Sequence, residues 1–185
     1  MRVGERGDAP ERVVFGTSME GLYRALAPAR PAEEAAFLKA GVSGRGFAPA
    51  YPLAAYQEIL DACGESRFGH AAPLERFTEV GRLFFSGYEK TLVGTALVAL
   101  LRVIGPRRTL QRMTRNFRTA NNYTEVTVDE LAPNHYLVRV NYVARPGFFL
   151  GIIESGCQRA GAKELSVTLI SQENESPVYE VKWAA

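Results

Sequence analysis

Apolar residues recur at helical spacing through the first two-thirds of the chain and at alternate positions in the last third. Val13–Phe15 is a short apolar run, read as a short strand or a packed lead-in. Thr17, with Glu20 three residues on, has the form of a capping box opening a helix that buries Leu22 and Leu26 and stops before Pro28. Pro31 is placed to start a second helix, with Glu33 and Glu34 in its first turn, running to Lys39 and ending at Gly41. A third runs from Pro52 through Leu53, Tyr56, Ile59 and Leu60 to Gly64. Leu74, Phe77, Val80, Phe84 and Tyr88 form one apolar face of a fourth. Leu92–Ile104 is apolar nearly all round, as expected of the central helix of the core. Gly105-Pro106 breaks it and opens another helix to about Thr119.

From Thr124 the period changes to two. Thr124–Val128 and Tyr136–Tyr142 flank Pro133-Asn134 as an antiparallel hairpin; a helix spans about Gly147 to Ala160; Leu165–Ile170 and Val178–Trp183 flank a polar turn at Gln172–Pro177. The order is helices, then β-β-α-β-β. The expected class is α+β, with a helical N-terminal two-thirds packed on a four-stranded antiparallel sheet. Residues 1–12 are expected to form a loose tail and residues 13–185 a single domain, with no repeat or linker to divide it.

Composition agrees with a globular protein: of 185 residues, 46% are hydrophobic and 23% charged, and the net charge of +2 gives no whole-molecule attraction to nucleic acid. Two cysteines far apart, Cys63 and Cys157, suit a reducing compartment rather than a disulfide framework or a structural zinc site. The polar N-terminus carries no secretory signal pattern, and Leu92–Ile104 is too short to span a bilayer. A soluble, cytoplasmic protein is expected.

The strongest local signal is a basic helix. On a wheel at about 100° per residue, Arg107, Arg108, Arg112, Arg115 and Arg118 share an arc of roughly 140°, opposite Leu110, Met113 and Phe117. No acidic residue lies between Pro106 and Asn122. Guanidinium groups suit planar, bidentate anions, so this face is a candidate site for an anionic ligand or an acidic protein partner; the alternative is a solvated face paired with Glu75, Glu79 or Glu125. Nucleic acid is disfavoured, because no second basic element or stacking aromatic accompanies it. Asn121, Asn122 and Tyr123 follow as a polar cluster that either contacts a ligand or turns helix into strand. The glycine-rich Gly41–Phe47 follows no strand and reads as a helix connection rather than a phosphate loop.

No catalytic constellation emerges. His70 in a loop and His135 in a turn belong to no metal-ligand spacing, Cys157 reads as a small buried hydrophobe, and no nucleophile motif is present, so neither catalytic nor metal-ligating residues are assigned and no cofactor is specified.

The segments Gly105–Leu110, Asn116–Thr124, Gly151-Ile-Ile, Ala160-Gly-Ala and Tyr179–Trp183, with the opening Val14–Leu22, resemble an uncharacterised, paralogue-rich myxobacterial family over nearly the whole chain. That resemblance implies no activity. In architecture alone, helices followed by β-β-α-β-β resemble the superfamily of 4-vinyl-reductase-type and haem–nitric-oxide-binding domains, which also includes a vesicle-tethering subunit. The likeness implies a hydrophobic or haem-like ligand held between helices and sheet, or a scaffold for dimeric contacts. Haem members use a helix histidine and a Tyr-x-Ser-x-Arg motif, and this sequence has neither. The expectation is therefore a non-catalytic ligand-binding, sensory or regulatory module for a small hydrophobic or anionic ligand. Its pocket is expected along Phe84, Phe85, Tyr88, Leu92 and Leu97, with the arginines near the rim. The alternative is a dimeric protein-interaction adaptor, here a homodimer, without a small-molecule ligand.

Overall fold

The structure, a computed structural model, describes residues 11–184. Most of the expected tail lies outside the described residues. Glu11 and Arg12 are tied down: the Glu11 carbonyl accepts from Asn122 Nδ2, the Arg12 carbonyl accepts from the Leu53 amide, and the Arg12 guanidinium sits 3.6 Å over the Tyr142 ring.

The chain runs β1 (Val13–Phe15), α1 (Gly16–Ala25), α2 (Pro31–Lys39), β2 (Ala50–Pro52), α3 (Leu53–Phe68), α4 (Pro73–Tyr88), α5 (Leu92–Gln111), α6 (Met113–Phe117), β3 (Val126–Ala132), β4 (His135–Val140), α7 (Pro146–Arg159), β5 (Ser166–Glu173) and β6 (Ser176–Lys182). β1 and β2 form a small antiparallel pair, and Val14 also bridges to Asn121. The C-terminal sheet is antiparallel in the order β3-β4-β6-β5, so the α+β class and the four-stranded sheet are as the alternation predicts.

α7 forms the middle layer. Phe149, Leu150, Ile153 and Cys157 face the sheet side with Tyr136, Val138, Val140, Tyr179 and Val181, while Phe148 and Ile152 join the helical core around Phe84, Tyr56 and Met19. On its far side α7 meets α4 at glycines. A Cβ on Gly81 would stand 2.2 Å from the Phe148 carbonyl oxygen, one on Gly151 2.2 Å from that of Thr78, and one on Gly147 2.1 Å from that of Leu74. α4 is gripped from α1 in the same way, since a Cβ on Gly87 would lie 2.2 Å from the Gly21 oxygen. Missing side chains let the backbones approach, which makes α4 and α7 the central helices.

Several expectations are corrected. Leu92–Ile104 is not the central helix: its inner face (Leu97, Val98, Leu101) packs on Phe85 and Ala160, but Leu92 is 88% and Val103 84% exposed. Gly105 does break it, at φ 77° and ψ 172°. The helix after Pro106 does not run to Thr119 in one piece, because Arg112 leaves helical geometry (φ −103°, ψ 7°) between α5 and α6. No capping box forms at Thr17; α1 begins at Gly16, whose amide donates to the Pro49 carbonyl, and Glu20 pairs with Arg24 instead. Gly64 does not end α3 but lies inside it, against Arg76 and Phe77. The second hairpin turns on Asn174-Glu175 with Asn174 at φ 55°, shorter than the predicted loop, and His135 is the first residue of β4 rather than a turn residue.

Candidate functional site

Two small cavities lie along α4 and α7, sharing the walls Phe84, Phe117, Ala120 and Ile152. The first, about 80 Å³, is bounded by α3, α7 and the loop after β4, through Tyr56, Leu60, Tyr123, Tyr142, Phe148 and Phe149. The second, about 70 Å³, lies between α4, α5, α6 and α7, against Phe85, Leu97, Leu110, Met113, Ile153 and Cys157.

The local sequence explains these walls. The run Phe148-Phe-Leu-Gly-Ile-Ile is apolar on both faces of α7, so Phe149, Leu150 and Ile153 reach the sheet side and Phe148 and Ile152 the helical core. Aromatic rings build the partition: Phe117 stacks on Phe149 at 4.6 Å, Phe149 on Tyr179 at 6.0 Å, and Phe84 lies 5.4 Å from Phe148 and 5.6 Å from Tyr88. No charged side chain borders the second cavity. The first meets Arg145, whose guanidinium is held by the Asp61 carboxylate. Burial pushes the Cys157 thiol up to about 12, so it remains protonated at neutral pH. Burial likewise pushes Tyr123 up to about 12, with Tyr142 adding to the rise and Arg12 opposing it.

Of the residues expected to line a pocket, Phe84, Phe85, Tyr88 and Leu97 border the second cavity. Leu92 does not; it projects to solvent because the inner face of α5 is set by Leu97 and Leu101. Asn121 borders the first cavity, and its Oδ1 accepts from the amides of Tyr123 (3.1 Å) and Thr124 (2.8 Å). Asn122 spends its amide group on the β1 side, accepting from the Val13 amide at 2.9 Å and donating to Glu11.

The five arginines lie along two helices rather than one, because α5 ends and α6 begins at Arg112. Arg107 pairs with Glu130 at 2.9 Å and Arg118 stands 3.9 Å from Glu125. Arg108, Arg112 and Arg115 have no carboxylate partner among the described residues. Nothing in the sequence marks Phe148, Ile152 and Ile153 as cavity walls, because a continuous apolar run does not disclose which of its members border a void.

Among the described residues no cluster of His, Cys, Asp or Glu could hold a metal ion, and no helix is long and apolar enough to cross a membrane.

The fold is that of H-NOX domains. A structure concerned with the mechanism of H-NOX activation matches with a TM-score of 0.62 at 16% identity, over 92% of this chain and 97% of that one. An oxygen-binding H-NOX domain related to soluble guanylate cyclases gives 0.61 at 16%, over 92% and 95%. The Fe(II) unliganded H-NOX protein from K. algicida gives 0.60 at 13%, over 91% and 95%. These identities establish shared architecture and no more. Haem, the group this fold family implies, is not fitted by the residues present. Neither histidine borders a cavity: His70 is exposed beyond α3, and His135 bonds Glu180 at 2.9 Å on the sheet. Met113, on the second cavity, would lack the histidine that accompanies a methionine ligand. Both cavities are also far below the ~300 Å³ at which ligand pockets for larger molecules begin.

Comparison with curated proteins finds no match. A family model described as a protein of unknown function, DUF2378, matches residues 12–184, and the chain belongs to that family.

Proposed function

We propose that this domain is a non-catalytic sensory module that binds a small apolar ligand, without haem, between α4, α5 and α7. The observation that carries this reading is the second cavity, whose walls are mostly aliphatic and aromatic, with Thr109 and Asn116 as polar members and no charged group. Such a site offers dispersion and desolvation but neither a nucleophile nor an acid–base pair. Its resting volume suits only a few heavy atoms. Phe117 and Ile152 separate it from the first cavity, so a ligand that turns either side chain aside joins the two spaces.

Native mass spectrometry with an absorbance spectrum, on protein purified gently from its own host, tests the reading. Gly156→Leu serves as the filled-cavity variant, because Gly156 borders the second cavity. An apolar adduct on the wild type and not on the folded variant is the expected result. Added back at about 100 times its Kd, the ligand should stabilise by about 2.7 kcal/mol, or roughly 5–10 °C in Tm for a domain of this size. An adduct-free wild type, whose Tm is also unmoved by indole, benzene or medium-chain alcohols, would overturn the proposal.

A further inference from the structure

α5 carries apolar residues on two faces. The inner one closes the second cavity through Leu97 and Leu101. On the outer one Leu92, Val93, Ala96, Ala99, Leu100 and Val103 are all exposed, at 88, 38 and 84% for Leu92, Leu100 and Val103. At about 100° per residue these six fall within an arc of roughly 120°. Leu92, Ala96, Ala99 and Val103 follow the 4-3-4 spacing of a helix-packing seam. With alanines at its centre, the seam admits a second helix at the short end of the usual ~8–10 Å axial separation, along about 16 Å of its length.

Charge identifies the kind of helix. From Thr91 to Thr124 there is no acidic residue, and Arg102, Arg107, Arg108, Arg112, Arg115 and Arg118 stand in or beyond the second half of α5. Arg108, Arg112 and Arg115 have no carboxylate partner among the described residues, and Arg107, though paired, remains 63% exposed. A second copy of this chain would bring an equally arginine-flanked seam and no acidic complement. A lipid surface is disfavoured because the seam holds no Trp, Tyr or Phe and its central residues are alanines, which offer little area for insertion.

We infer that the outer face of α5 docks an amphipathic helix of a partner protein that carries acidic residues beside a Leu/Ala seam. The surface stands on the seam and its charge alone; only its control by a ligand rests on the function proposed above, since α5 also closes the cavity. Ligand-free protein suffices for the test, so an empty cavity and a failed docking surface give different results.

The probes are two labelled helical peptides with the same Leu/Ala seam, one flanked by glutamates and one by lysines, followed by fluorescence anisotropy. The glutamate peptide should bind, more weakly as salt rises, and the lysine peptide at least roughly tenfold less well. Val103→Glu should weaken the glutamate peptide by roughly tenfold or more, through a lost apolar contact and like-charge repulsion. Leu131→Glu, an exposed apolar residue on β3, should leave it unchanged; circular dichroism checks that both variants fold. Equal binding of both peptides, or of neither, would overturn the inference. So would recruitment of the free protein to phosphatidylserine vesicles, or sedimentation as a dimer that Val103→Glu dissociates.

Discussion

Gly151→Ala should destabilise the domain, although alanine is the better helix former. The Cβ it introduces would lie 2.2 Å from the Thr78 carbonyl oxygen, more than an ångström inside ordinary contact, which begins at 3.4 Å. The obstacle is α4 backbone, so no rotamer change relieves it, and α4 and α7 must separate along their whole contact. Overpacking of this kind costs about 1–3 kcal/mol, and a backbone obstacle belongs near the top of that range. Replacing a helical glycine returns about 1 kcal/mol, leaving a net loss of about 2 kcal/mol, or roughly 4–8 °C in Tm. Gly81→Ala meets the Phe148 oxygen at 2.2 Å across the same interface and should cost as much. The double variant should lose less than the sum, because helices already parted by one methyl accommodate the other. Gly156→Ala, in the same helix, is the internal control: its nearest neighbour is Phe85 Cε2 at 3.8 Å, so it should gain up to about 1 kcal/mol from propensity alone. Urea unfolding followed by circular dichroism reads all four. A Gly151→Ala protein as stable as Gly156→Ala would show that α4 and α7 do not meet backbone to backbone.

The fully buried Glu33 accepts from Arg67 through both oxygens (2.6 and 2.8 Å), from Ser66 Oγ and from the Arg30 amide. Arg67→Met strands that carboxylate and should cost about 3–5 kcal/mol in the same urea assay; a loss below about 1 kcal/mol would refute the pairing. Burial pushes the Glu33 pKa up, yet these bonds hold it below the usual glutamate value on balance. Its contribution is therefore complete above about pH 4.3 and disappears as pH falls through the lowered value, a dependence that Glu33→Gln should remove. Cys63 and Cys157, both pushed up to about 12 chiefly by burial, should resist a disulfide-exchange reagent at neutral pH until the chain is denatured; rapid native labelling of either would contradict the packing. Leu92→Ser should change stability by no more than about 0.5 kcal/mol, whereas a core position at Leu92 would cost several times that.

Alternating positions around Pro133-Asn134 and Leu165–Trp183, and the breaks at Pro31, Gly105 and Pro106, are enough to define the helices, the hairpins and the order β-β-α-β-β. Those signals are local: a period, a cap, or a residue that tolerates positive φ such as Asn134 or Asn174. What each apolar face touches is not a local property. Leu92–Ile104 reads as central because it is apolar all round, and in the fold half of that surface faces outward. α4 reads as an amphipathic helix and α7 as a helix between two hairpins, and both become central through Gly81, Gly147 and Gly151, whose importance lies in the atoms they lack and in what stands opposite. The cavities likewise arise where Phe84, Phe117, Ile152 and Cys157 converge from separate elements and leave space between them. A void is defined by several chain segments at once, so only the tertiary structure decides where it lies, just as it decides which arginines find a carboxylate among the described residues.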